Sequence, residues 1–154
     1  VLESLAGQGF GRIVVWRGCG GHQLAEAVDA FNRAQNARAF LPGQPYHDLW
    51  IKLGDPRDPG GHADSFTTSI ALYLRPDHVR SEKIVDSGCK PVHWQDPDLN
   101  FADYAPTGVV GTPIYASAEL GKELWQEVVR AVADIFKEIS EKSTTGISSG
   151  SRLS

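Results

Sequence analysis

The chain has 154 residues, enough for one domain with a sizeable core, and its 41% hydrophobic and 22% charged content is ordinary for a soluble globular protein. No apolar run approaches the ~20 residues that span a bilayer, and Val1 to Gly9 lack the basic start and apolar stretch of a signal peptide, so cytoplasm is the expected location. A net charge of −4 without a Lys/Arg cluster argues against nucleic acid as a main partner, and two cysteines, Cys19 and Cys89, make no disulfide framework.

Val1 to Gly11 reads as the end of a helix, with Leu2, Leu5 and Ala6 on one face and glycines breaking it. Ile13-Val14-Val15-Trp16 is a continuous apolar run rich in β-branched residues, the pattern of a strand buried on both faces in a parallel sheet covered by helices. A glycine-rich turn, Arg17 to His22, follows it. From about His22 to Asn36, Leu24, Ala27, Val28, Phe31 and Ala34 recur at helical spacing. Ala37 to Leu41 is short enough for the next strand. Strand, turn, helix and strand make one βαβ unit, and ligands of such sheets bind outside the carboxyl ends of the strands.

Tyr46 to Leu53 predicts a short helix, and Gly54 to Gly61, built from turn residues, predicts a loop. Ala63 to Leu74 predicts a helix with Phe66, Ile70 and Tyr73 or Leu74 facing the core, ended by Pro76. Ser81 to Pro106 reads as irregular, with short strands expected at Lys83–Val85 and Val92–Trp94. The last helix, Ala116 to Ile139, carries one stripe from Leu120 and Leu124 to Ile135 and Ile139, with Ser117 as N-cap. A second stripe of Trp125, Val129 and Phe136 reads as core or oligomer contact. The expected organisation is one α/β domain over 1–140 and a flexible Ser/Thr/Gly-rich tail over 141–154.

Two segments carry candidate chemistry. In Arg17-Gly18-Cys19-Gly20-Gly21-His22-Gln23, glycines let backbone approach a ligand, and Cys19 falls beside the positive end of the following helix. A thiol there has a lowered pKa and can serve as nucleophile or metal ligand; a tight turn with no ligand explains the same glycines. The segment lacks the Lys-Ser/Thr of a P-loop and the third glycine of a dinucleotide fingerprint, which excludes phosphate binding. In Gly60-Gly61-His62-Ala63-Asp64-Ser65, His62 sits where a loop meets a helix and an imidazole can work near neutral pH. The plain alternative is that His62 ends a loop and Asp64 caps the helix.

Together these segments resemble the creatininase family of amidohydrolases, whose members carry Asn-Gly-His-Gly-Gly-Asn after a strand and later Gly-His-Ala-Gly-Glu-x-Glu-Thr-Ser. Here the counterparts are Arg17-Gly18-Cys19-Gly20-Gly21-His22 and Gly61-His62-Ala63-Asp64-Ser65-Phe66-Thr67-Thr68-Ser69, followed by Leu74-Arg75-Pro76. Gly108 to Pro113 and Ala116 to Gly121 match the family's Gly-Val-x-Gly-Asp-Pro and Ala-Thr-x-Glu-x-Gly stretch before its last helix. The four matches keep their order to about residue 140.

The resemblance implies a three-layer α/β sandwich with a parallel or mostly parallel sheet, of which this chain is the carboxy-terminal portion, incomplete at its N-terminal side. It implies a metal-dependent hydrolase of cyclic amides or formamides, with a dinuclear site of Zn, Mn or Fe and a higher, hexameric assembly. Cys19 falls where the family has a metal-binding histidine, and thiolate is a competent zinc ligand. His22 replaces the following Asn and is the second candidate ligand. The family's two Glu positions are Ser65 and Thr67, and its upstream Glu-x-His-Gly ligands have no counterpart. His62 is the retained catalytic residue, with Cys19 beside it, while His22, Gly20, Gly21 and Ser65 are candidates for substrate contact.

Trp50 and Trp94 are candidate aromatic walls of a substrate pocket, with core or interface packing the alternative. Cys89 and His93, four apart with Gly88 and Pro91 nearby, make a poor metal pair. His47 beside Asp48 reads as a surface pair or a pocket mouth, and His78 as a solvated helix end.

Three functions are open on this reading. In the first, the chain is part of an amidohydrolase cleaving a C–N bond, and another polypeptide carries the N-terminal half of the fold and the missing metal ligands. In the second it is a metal-free pseudoenzyme or partner subunit that binds a ligand or stabilises an assembly. The third is a Cys19-dependent hydrolase with His22 or His62 as base.

Overall fold

The computed structural model of the chain describes residues 1–18, 22–88, 96 and 98–142. It divides into two compact units, Val1–Gln44 with the chain from Ala133 onward, and Pro45–Val132.

The first unit contains helix α1 (Leu2–Gly7), strand β1 (Arg12–Val14), helix α2 (Ala25–Ala34) and strand β2 (Arg38–Phe40). The strands pair in parallel, with Arg12 opposite Arg38, Ile13 opposite Ala39 and Val14 opposite Phe40. Alternation along each strand sends Ile13, Val15, Ala37, Ala39 and Leu41 to one face, where Val28 and Phe31 of α2 and Leu2 and Leu5 of α1 cover them. The other face carries Trp16, whose ring meets Phe136 edge-on with centroids 5.7 Å apart.

The expected βαβ unit is present. Burial of its first strand on both faces is not: Arg12 is exposed, Ile13 buried and Val14 half-buried. The reason is that α1 and α2 supply apolar side chains to one face only. The hydrogen bonding of β2 does not end at the ladder, however. The Asn32 amide on α2 donates to the Ala39 carbonyl at 2.9 Å and accepts from the Ala39 N–H at 2.7 Å, so it serves the edge of β2 as a neighbouring strand would.

The second unit contains α3 (Tyr46–Leu53), α4 (Ser65–Leu74), α5 (Phe101–Tyr104) and the start of α6 (Ala118–Glu141), with single 3₁₀ turns at Pro76–His78, Ser81–Lys83 and Pro113–Tyr115. Its core is Phe66, Leu124 and Val128, bordered by Leu49, Leu53, Ile70, Leu120 and Val132. Tyr46 and Trp50 of α3 pack on the Phe66 ring at 6.2 and 5.7 Å.

Where α4 meets α6, small residues replace large ones. Ser65 and Ser69 are buried, and a Cβ added at Gly121 would overlap the Ser69 carbonyl oxygen. Ser69 also receives the Ser117 N–H on its hydroxyl at 3.1 Å, while the Ser117 hydroxyl accepts from the Leu120 N–H at 3.1 Å and caps α6 as expected.

Several expectations need correction. Tyr73 and Leu74 are exposed, because the face of α4 turned to α6 is the one bearing Ser65, Phe66, Ser69 and Ile70. Lys83–Val85 is no strand: Lys83 closes a 3₁₀ turn, and no described residue pairs with the extended backbone at Ile84. Of the two roles expected for Trp125, Val129 and Phe136, core or oligomer contact, the core role is corrected: they are exposed, since the α6 stripe through Leu124, Val128 and Ile139 takes the buried side. The strand expected at Val92–Trp94 and the tail beyond Lys142 lie outside the described residues. Among the described residues, no helix is long and apolar enough to cross a membrane.

The α4–α6 contact makes a direct prediction. Gly121→Ala forces the two helix backbones apart and lowers stability by about 1–3 kcal/mol, read from denaturant unfolding. An unchanged midpoint would show that the helices do not approach so closely in solution.

Candidate functional site

The loop between α3 and α4 is built around two aspartates. Asp58 is 4% exposed. Its Oδ1 accepts the Gly60 N–H at 3.0 Å and the Thr112 N–H at 2.8 Å, and its Oδ2 accepts the Ser65 N–H at 2.7 Å. One carboxylate therefore holds the loop, the first residue of α4 and the 108–112 segment. Space around it is tight: a Cβ at Gly111, whose φ is +115°, would lie 2.8 Å from Asp58 Oδ1.

Asp64 is the N-cap of α4, as expected. Its Oδ1 accepts the Thr67 N–H at 3.0 Å, while Oδ2 reaches back to the Gly61 N–H at 2.8 Å. This return turn needs left-handed backbone at Gly60 (φ +71°) and at Ala63 (φ +54°), the latter at a cost of about 1–2 kcal/mol for a residue with a Cβ.

His62 stands on this turn. Its backbone forms an antiparallel bridge with Val110, N–H to carbonyl at 2.9 and 2.8 Å in the two directions. Nδ1 lies 2.6 Å from the Gly108 carbonyl oxygen, which can only accept, so Nδ1 is the donor in this contact and Nε2 takes no part in it. Phe101 meets the imidazole edge-on at 5.3 Å and limits its rotation. A ring held on one side, on an exposed residue with its Nε2 outside that contact, has the placement that proton transfer requires.

A cavity of about 350 Å³ is walled by Tyr46, His47, Trp50 and Phe66 and bordered by Gly60 and Gly61; His62 is not among its lining residues. Trp50 thus serves both as pocket wall and as core aromatic, and His47 belongs to the cavity lining. Gly60 leaves room for the indole, since a Cβ there would come within 2.8 Å of Trp50 Nε1.

At the loop's start, Arg57 pairs with Asp55 at 2.6 Å and lies 3.8 Å over the Tyr115 ring. The Arg57 side-chain hydrogen bond, supported by the Arg57 backbone N–H, lowers the Asp55 pKa from 3.8 to about 2.

In the first unit Arg17 Nη1 donates to the His22 carbonyl at 3.1 Å, and the Gln44 amide donates to the Arg17 carbonyl. His22 is exposed. Cys19, Gly20, Gly21, Cys89, His93 and Trp94 lie outside the described residues. His22 belongs to the first unit, whereas His62, Ser65 and Trp50 belong to the second. Ser65 is fully buried, and its hydroxyl has no hydrogen-bond partner among the described residues.

Sequence reasoning missed Asp58, Phe101, Gly108 and Thr112. The Asp58-Pro59-Gly60 string reads as a plain turn, and nothing local ties it to Thr112, 54 residues on.

The donor set of this site does not suit a metal ion. The oxygens of Asp58 and Asp64 are directed at backbone N–H groups, the position of a family Glu holds the Ser65 hydroxyl, and no three His, Cys, Asp or Glu side chains among the described residues come together.

The chain thus combines a short parallel ladder with a histidine presented by a glycine loop, and comparison with known proteins gives the lineage. Residues 1–136 match the creatininase family, described as creatinine amidohydrolase, and the chain belongs to that family. It is similar to the mycofactocin precursor peptide peptidase of Mycolicibacterium smegmatis, at 30% identity over 129 residues, 82% of this chain and 49% of that protein. The chain thus spans about half the length of the curated relative it matches. No solved structure matches it.

Asp58→Ala strands three buried N–H groups and is expected to cost about 3–5 kcal/mol, measured by urea unfolding; a loss below 1 kcal/mol would remove its organising role. Asp55 works in acid. Its pKa is depressed on folding, so its contribution is complete above the unfolded value near 3.8 and is lost as pH falls toward 2. Unfolding midpoints across that window should fall less steeply in Asp55→Asn than in the parent chain.

Proposed function

We propose that the chain is part of a creatininase-like hydrolase of a C–N bond, with His62 as its proton-transfer residue. The observation that carries this reading is the His62 ring, held through Nδ1 by the Gly108 carbonyl at 2.6 Å so that Nε2 is left for the substrate side. As a water oxygen bonds to the amide carbonyl carbon, Nε2 takes its proton; the proton then passes to the leaving nitrogen as the C–N bond breaks. The Gly108 carbonyl retains the Nδ1 proton throughout and orients the ring. The Trp50 and His47 cavity, which His62 does not line, borders the same glycine loop and offers aromatic walls for a substrate's remoter part.

The substrate is a cyclic amide or formamide in line with the family resemblance. The relative named as a precursor peptide peptidase adds a peptide bond to the same chemistry. Another polypeptide supplies the N-terminal part of a three-layer sandwich and the ligands for Zn, Mn or Fe, with Cys19 and His22 as this chain's own contribution. What supports this is the engagement of Asp58 and Asp64 with backbone. The complex is a cytoplasmic higher oligomer.

One observation favours the alternative of a metal-free partner subunit: Ser65, at a family Glu position, is buried with an unpartnered hydroxyl. Native purification with metal analysis separates the two readings. The proposal expects a second polypeptide and stoichiometric metal in the active complex. Full activity from this chain alone would remove the partner, and a metal-free inactive complex would favour the subunit role.

His62→Gln keeps a donor for Gly108 but no base, and it is expected to lower kcat about 10²- to 10⁴-fold against a panel of cyclic amides, formamides and peptides. Undiminished turnover would end the assignment of His62.

A further inference from the structure

A second cleft of about 460 Å³ opens beside α4 in the same unit, between Thr67, Thr68 and Ala71 of the helix and the 78–85 segment. Among the described residues its charged lining is of one sign: Arg80 and Lys83 border it together with His78, and no described Asp or Glu lines it. Neither cation forms an ion pair with any described residue, and both are exposed. Asp77, Glu82 and Asp86 alternate with them in sequence but do not line the cleft.

The remaining wall is apolar. Val79, Ile84, Val85 and Val109 line it, and Val85 is 50% exposed. A site with two unpaired cations at one edge and branched aliphatic walls is complementary to a molecule with an anionic end and an apolar body. Its backbone is tied down on the Val109 side, because Val109 lies between Gly108, the partner of the His62 ring, and Val110, the partner of its backbone.

We infer that this cleft binds an apolar carboxylate, with Arg80 and Lys83 receiving the carboxylate and the Val79, Ile84 and Val109 wall receiving the aliphatic group. The planar guanidinium of Arg80 suits bidentate pairing with a carboxylate. The inference stands apart from the hydrolase reading, because binding is measured without turnover.

The test uses the full chain, titrated at low salt with N-acetyl-leucine, its uncharged amide, inorganic phosphate and a short peptide ending in leucine, followed by amide chemical shifts. N-acetyl-leucine should saturate with shifts at Thr68, Val79 to Val85 and Val109, and the amide should bind at least about tenfold more weakly. The double variant Arg80→Gln/Lys83→Gln, changed only at exposed positions, should lose a similar factor while its unfolding midpoint is unchanged. Val109→Ser should weaken N-acetyl-leucine without affecting phosphate. Tighter binding of the peptide than of the free acid would identify a chain terminus as the source of the carboxylate; the reverse order would identify a small acid. Equal binding of acid and amide, equal binding of phosphate and acid, unaltered binding in the double variant, or no saturation by either carboxylate probe would each overturn the inference.

Discussion

The candidate site depends on the carboxylate of Asp58. Three backbone N–H groups from three stretches of chain, at Gly60, Ser65 and Thr112, point at its two oxygens. A buried carboxylate accepting backbone N–H bonds is stable in place and costly to disturb, because its loss would leave several donors unpaired away from water. Everything chemically notable in the second unit is set by this junction: the turn that presents His62, the start of α4, and the 108–112 segment whose Gly108 carbonyl fixes the imidazole.

Glycine makes the junction possible. Gly111 sits against the Asp58 and Asp64 side chains, and Gly61 lies so close to Val110 that a Cβ would fall 2.7 Å from the Val110 carbonyl oxygen. Ala63, by contrast, accepts left-handed backbone with its Cβ in place. Backbone strain at that residue sits one position from the histidine, where a tightly determined surround can maintain it. The same carboxylates that build the turn are thereby committed to the protein's own backbone, which gives this family member a scaffold of acids rather than a ligand set.

The two units use opposite devices for close packing. In the first, branched and aromatic side chains from two helices cover one face of a short parallel ladder, and the Asn32 amide completes the edge. In the second, the key helix contact is made by the smallest side chains available, Ser65, Ser69 and Gly121, with hydroxyl-to-backbone bonds at Ser69 and Ser117 taking the place of apolar contact.

Much of this was legible in the residues themselves. Short-range rules located α3 to the residue, found both strands, and named Asp64 and Ser117 as caps, because periodicity, capping and turn chemistry act within a few positions. The creatininase relationship was likewise readable, being carried by ordered short motifs. The exposed Tyr73 and Leu74 were misjudged because α4 has apolar residues on more than one side, and only its partner helix decides which side is buried. Asp58, Thr112 and Gly108 gave no local sign, since the bonds that matter run between residues some fifty positions apart and exist only once the chain has folded back on itself. Sequence determined the elements and the family; the tertiary structure decided which nitrogen of His62 is tied to the backbone and which oxygens the aspartates have left to offer.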